Sequence, residues 1–122
     1  MSNSIYNEIL LEHANHPSHR GEIPGASFMN TSTNASCGDE ITIYLKLKNN
    51  QVVDASWTGS GCAIAKASAD ILCCTILGEN DDNLIFDEIA ERLPGRIKCI
   101  STALDTIRTA PPEVLSEIIN KL

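Results

Sequence analysis

The stretch Ile41-Thr42-Ile43-Tyr44-Leu45-Lys46-Leu47-Lys48-Asn49-Asn50-Gln51-Val52-Val53-Asp54-Ala55-Ser56-Trp57 decides the fold. Ile41, Ile43, Leu45 and Leu47 alternate with Thr42, Tyr44, Lys46 and Lys48, the period of a strand with one buried face. Asn49-Asn50 suits the left-handed backbone of a tight turn. Val53, Ala55 and Trp57 then resume the alternation, so the stretch predicts an antiparallel hairpin. Cys37 lies just before its first strand and Cys62 just after its second. A hairpin returns both ends to one edge of the sheet, which makes neighbours of two thiols distant in sequence.

Upstream, Ala26 to Thr33 predicts an edge strand, for a three-stranded sheet. Ile5, Ile9 and Leu10, with Tyr6 and His13 alongside, follow helical spacing over residues 4 to 15, and Pro17 ends the run. His16 to Gly25, with its prolines and glycines, reads as loop. Downstream, the small and apolar residues from Cys62 to Leu77 predict a largely buried helix that Gly78 terminates. Further helices are predicted from about Asp82 to Arg92, from Ile97 to about Thr109 and, past Pro111-Pro112, from Glu113 to Leu122. Strands followed by helices give an α+β fold: a small antiparallel three-stranded sheet with helices packed on it.

A chain of 122 residues is expected to form one domain, residues 1–122, with a core that needs no disulfide staples. The net charge of −7 argues against a nucleic-acid groove, which needs clustered Lys and Arg. No stretch has the length of a transmembrane helix, and Met1-Ser2-Asn3-Ser4 lacks the basic and apolar regions of a signal peptide. Five cysteines, an odd number without such a signal, fit reduced thiols and a cytoplasmic protein.

Three of those cysteines are set for chemistry. Cys37 stands in Ser36-Cys37-Gly38-Asp39, where the backbone can fold tightly around an ion and Asp39 can reach the same ion. Cys62 follows Gly59 and Gly61 at a helix start, where free N–H groups and the helix dipole favour a thiolate. Cys99 lies near another helix start, with Arg96 and Lys98 beside it. Three thiols and a carboxylate suit zinc or iron, and the oxygen ligand is the weaker and more exchangeable one. Cys73 and Cys74, in Ile71-Leu72-Cys73-Cys74-Thr75-Ile76-Leu77, read as core packing. His13, His16 and His19 read as structural or solvated, and Lys98 as a charge partner for Asp39 or as a solvated side chain.

Cys-Gly-Asp, the Gly-x-Gly-Cys-x-Ile-x-x-Ala-Ser run from Gly59 to Ser68 and the Arg-x-Lys-Cys run from Arg96 to Cys99 resemble the U-type iron–sulfur cluster scaffold family. Tyr6, His13, Pro17 and Gly21 fall at the spacing of its N-terminal region, and Lys98 before the last cysteine is similar to the SufU branch rather than the IscU branch. The resemblance covers roughly residues 5 to 110. It implies the SufE/IscU-like fold and the metal ligands Cys37, Asp39, Cys62 and Cys99, with Cys37 or Cys99 as persulfide acceptor. It further implies sulfur delivery from a pyridoxal-phosphate-dependent cysteine desulfurase, assembly of a labile [2Fe–2S] cluster, and its transfer to apo iron–sulfur proteins. Members similar to SufU often hold Zn2+ at the same residues, which gives a second expectation: zinc-dependent sulfur transfer without cluster assembly. Three departures stand out: a shorter segment between Cys62 and Cys99, Leu93-Pro94-Gly95-Arg96-Ile97 where the IscU branch has a chaperone motif, and no proline after Asn34.

Other classes fit less well. A structural zinc module usually shows paired Cys-x-x-Cys knuckles, and a thiol enzyme needs an orienting base or a Cys-x-x-Cys pair. Neither pattern is present. The sequence therefore points to a scaffold or carrier rather than an enzyme.

Overall fold

The computed structural model describes residues 3–35, 38–79, 89, 91–92, 95 and 97–121. Its elements are α1 (Asn3–Asn15), β1 (Phe28–Asn34), β2 (Asp39–Lys48), β3 (Gln51–Ser60), α2 (Ala63–Ile76), α3 (Ile97–Asp105) and α4 (Pro112–Lys121). The strands form one antiparallel sheet in the order β1-β2-β3. Helices packed on a three-stranded sheet make this the α+β fold that the alternation predicts.

The hairpin forms as its pattern requires. Asn49 and Asn50 both take positive φ, 54° and 63°, and hand β2 over to β3. Ile43 pairs with Trp57 and Leu45 with Ala55, so the buried side chains of both strands share one face. Both strands run longer than their alternation shows, from Asp39 and to Ser60. Glu40 pairs with Ser60, which brings the start of β2 beside the end of β3.

The helix α2 lies at the centre of the packing, against α1, α3 and β3. Ala65, Ala67 and Ala69 bring its backbone close to its neighbours, while Ile71, Leu72 and Ile76 enter a core shared with Ile41, Ile43, Leu45, Ile100, Val114 and Ile118. Gly78 sits just past its end at φ 73°, a left-handed position that favours glycine.

Three differences from the sequence expectation have physical reasons. The segment His16–Gly25 is loop, as expected, but it is pinned to β3 by one isolated parallel bridge at Arg20: Trp57 N–H donates to the His19 carbonyl at 2.9 Å, and Gly21 N–H to the Trp57 carbonyl at 2.7 Å. Backbone pairing of this kind leaves no mark on side-chain pattern. The helix from Ile97 stops at Asp105 rather than near Thr109. Thr106 N–H already bonds to the Ala103 carbonyl, three residues back, as Ile107 does to Leu104, and the Thr106 hydroxyl also donates to Ala103. Asn30 Nδ2 donates to the Thr106 carbonyl at 2.9 Å and ties β1 to this turn. The last helix starts at Pro112, whose fixed φ suits a first helical position. The helix expected over residues 82–92 falls largely outside the described residues, although Ile89 is buried in the core. Among the described residues no helix is long and apolar enough to cross a membrane.

Candidate metal centre

Asp39, Cys62 and Cys99 meet at the edge of the sheet, with one ligand-type atom from each lying within 4.8 Å of the others. Each arrives on a different element. Asp39 opens β2, Cys62 caps α2, and Cys99 stands in the first turn of α3. The pairing of Glu40 with Ser60 sets the first two side by side, and the packing of α3 on α2 brings in the third.

Local geometry explains the choice of residues. Cys62 is the helix N-cap, with extended φ −70° and ψ 163°, and its sulfur accepts the Ala65 N–H at 3.4 Å. The Ala65 N–H is one of the donors that the first turn of a helix leaves without an intrahelical partner, and the Cys62 sulfur takes it up. The Sγ atoms of Cys62 and Cys99 are 3.2 Å apart, and both thiols are free of disulfide. Asp39 is 2% exposed; its Oδ1 accepts the Cys62 N–H at 3.0 Å, whereas its Oδ2 is buried without a hydrogen-bond partner among the described residues. A buried, unmatched carboxylate oxygen is costly and calls for a cation or donor. Two sulfurs and that oxygen form a donor set that fits zinc or iron.

Glycine is needed at two corners here. Gly61 takes φ 144°, and a Cβ on it would run into the Asp39 carboxylate; a Cβ on Gly59, at φ 149°, would run into the Glu40 carbonyl. Gly61→Ala is expected to cost about 1–3 kcal/mol in stability from backbone strain and to weaken zinc retention by displacing Asp39. A chelator competition paired with a thermal melt checks both, and unchanged zinc affinity would count against the close fit.

Cys37, the remaining ligand expected from the sequence, lies outside the described residues, as do Ser36 and Arg96. Lys98 is exposed on α3, where its carbonyl accepts from Thr102 and Ser101, and among the described residues no ion pair joins it to Asp39. Cys99, a persulfide candidate, is 1% exposed. Cys73 and Cys74 are buried in α2, and burial, aided by Asp70, Cys74 and Asp54, raises the Cys73 thiol well above its ordinary pKa. His16 is exposed, and His19 Nε2 lies 3.4 Å from Glu79 Oε2.

His13 belongs to a second cluster that the sequence pattern does not reveal. His13, Asp70 and Cys74 also lie within 4.8 Å of one another. Asp70, fully buried, accepts from His13 Nδ1 at 2.7 Å and Ser18 N–H at 3.3 Å on Oδ2, and from His19 N–H at 2.9 Å and Trp57 Nε1–H at 3.2 Å on Oδ1. Each oxygen thus carries two donors, which fills the acceptor capacity of a carboxylate and leaves none for a metal ion. Burial pushes the Asp70 carboxyl up, but the hydrogen bonds from His13, His19, Trp57 and Ser18 outweigh it and hold the group below the ordinary Asp value. The available signal was a lone carboxylate in an otherwise small and apolar helix, since a buried charge needs partners.

Residues 5–114 match the family described as NifU-like N terminal domain. The iron–sulfur cluster assembly scaffold protein IscU of Thermotoga maritima is 32% identical, over 87% of this chain and 92% of that protein. The zinc-dependent sulfurtransferase SufU of Bacillus subtilis is 27% identical, over 79% of this chain and 82% of its own. Among solved structures, a putative iron–sulfur cluster assembly scaffold protein for the SUF system from Fervidobacterium islandicum superposes with a TM-score of 0.67 at 27% identity, covering 88% of this chain and 96% of that one. With the family match spanning nearly the whole chain, and the hairpin, helices and clustered Asp39, Cys62 and Cys99 in place, this chain belongs to the NifU-like N-terminal domain family of U-type iron–sulfur scaffold proteins.

Proposed function

We propose that this chain is an iron–sulfur cluster assembly scaffold acting as one domain. Cys37, Cys62 and Cys99 supply thiolates to a [2Fe–2S] cluster, and Asp39 supplies the fourth, weaker ligand. The observation that carries the reading is the buried, unmatched Oδ2 of Asp39 beside two sulfurs 3.2 Å apart. Similarity to IscU of Thermotoga maritima supports it. The Cys37 or Cys99 thiolate attacks the outer sulfur of the persulfide on a pyridoxal-phosphate-dependent cysteine desulfurase, whose own thiolate leaves. A thiol or electron-transfer reductant, together with ferrous iron, reduces that sulfur to the sulfide of the cluster. Because Cys99 is buried, the acceptor thiol must be uncovered or the sulfur passed inward before assembly. The finished cluster is handed to apo iron–sulfur proteins in the cytoplasm, and the protein turns over no substrate of its own.

A second reading has a specific support: the similarity to a zinc-dependent sulfurtransferase. In it the same four residues hold Zn2+, and one thiolate leaves the metal to take the persulfide without building a cluster. Reconstitution with ferrous iron, cysteine, a cysteine desulfurase and a thiol reductant, followed by addition of an apo-ferredoxin, separates the two. Cluster absorption that passes to the ferredoxin supports the scaffold. Stimulated desulfurase turnover with no cluster on this chain supports the zinc reading.

Asp39→Ala is expected to lengthen the life of a bound cluster in air, because it removes the exchangeable oxygen ligand. The Cys62 N–H loses its acceptor at the same time, a loss of about 1 kcal/mol that lowers stability without opening the cluster. Faster decay of the visible spectrum than in the unmodified protein would count against this role.

A further inference from the structure

Asp70 is the meeting point of four hydrogen bonds. Its partners come from three places: the His13 ring on α1, the Ser18 and His19 amides of the loop after it, and the Trp57 indole on β3. Asp70 itself is on α2. The Trp57–Asp70 bond therefore bridges the strand before Cys62 to the helix after it, across the corner that carries the cysteine.

The same corner is held from outside. Arg20 lies over the Trp57 ring, 5.1 Å from its centroid, and its Nη2 donates to the Gly59 carbonyl at 3.2 Å. The His19 carbonyl and Gly21 N–H bond to the Trp57 backbone, and the Ser56 hydroxyl donates to the Gly21 carbonyl at 2.6 Å. Residues 19–21 thus clip onto β3 near its Gly59-Ser60 end, just before Gly61 and Cys62, while His13 and Ser18 hold Asp70 on α2.

We infer that Asp70 is a positioning residue for Cys62, and that docking of the segment His13–Gly21 is linked to metal retention at Asp39, Cys62 and Cys99. The metal half of this statement rests on the site proposed above; the positioning half does not. Among the described residues, no hydrogen bond joins Asp70 to Asp39, Cys62 or Cys99. It fixes the angle between β3 and α2, and hence where the Cys62 sulfur stands relative to Asp39 and Cys99. Since linkage is reciprocal, whatever tightens the site also tightens the clip.

Asp70→Asn keeps the shape but sets an NH2 group against N–H donors. The test measures zinc affinity by chelator competition, Cys62 alkylation rate in metal-free protein by peptide mass spectrometry, and amide exchange at His19, Gly21 and Trp57 with and without zinc. In Asp70→Asn zinc affinity is expected to fall about tenfold, the lower end for residues that orient metal ligands, and Cys62 alkylation to accelerate. In the unmodified protein zinc slows exchange at the three amides. Should Asp70→Asn fail to fold, Arg20→Ala, a change to an exposed side chain, is expected to show the same two effects more weakly. Unchanged Cys62 alkylation and unchanged zinc affinity in a folded variant would overturn the inference. A chain that binds no zinc yet shows faster Cys62 alkylation in Asp70→Asn would instead remove the metal-site reading and leave the positioning role standing.

Discussion

Cys62→Ala and Cys99→Ala are each expected to reduce iron and sulfide loading to background, and Cys37→Ala is expected to do the same. Cys62 and Cys99 provide two sulfurs 3.2 Å apart at a site whose third group, Asp39, has a buried oxygen with no hydrogen-bond partner among the described residues. A carboxylate bonds soft and borderline metals less strongly than thiolate does, so Asp39 does not make good a lost sulfur. The fold is expected to survive the Cys62 and Cys99 changes, because the hydrophobic cluster that includes Trp57, Leu45, Ile71 and Ile100 contains neither residue. Cys73→Ala is the control: its thiol is fully buried in α2 with its pKa driven up, so the change shaves the core and leaves loading intact. Iron analysis and visible absorption of each reconstituted variant make the comparison. Full loading of Cys62→Ala or Cys99→Ala would remove that residue from the ligand set.

Trp57→Ala is the second large effect, and it acts on stability. The side chain is wholly buried in the face that β3 turns to α2, and its indole N–H is one of the four donors to Asp70. Emptying that volume costs about 3–5 kcal/mol, a large part of the roughly 5–15 kcal/mol that holds an ordinary domain folded. The cost is compounded because a buried charged carboxylate loses a donor and Arg20 loses the ring it covers. Urea unfolding followed by far-ultraviolet circular dichroism is expected to show a sharply lower midpoint. A loss below about 1 kcal/mol, the scale of an ordinary surface change, would mean that the Trp57–Asp70 brace is not central to the fold.

Much of this was legible in the sequence because the deciding signals are local. Alternation from Ile41 to Trp57 with Asn49-Asn50 between specifies the hairpin, and the hairpin alone places Asp39 beside the Cys62 corner. The small and apolar run after Cys62 specifies α2, and the family motifs contain Asp39, Cys62 and Cys99, which lie together there, while Cys37 falls outside the described residues. The Asp70 hub was not legible, because its four donors come from α1, a loop and β3, and three of those contacts use groups with no pattern to read: two backbone amides and one indole N–H. The bridge that pins His19 to Gly21 onto Trp57 was hidden for the same reason. The early end of α3 depended on whether Thr106 would bond backward to Ala103 instead of continuing the helix, a local competition that apolar spacing does not reveal.

Iron and acid-labile sulfide content of protein purified without oxygen, read with the visible spectrum, tests the central claim most directly. The scaffold account predicts equimolar iron and sulfide with visible absorption that disappears in Cys62→Ala. Stoichiometric zinc without sulfide, persisting after reconstitution with iron and a desulfurase, would contradict it and assign the same residues to zinc-dependent sulfur transfer.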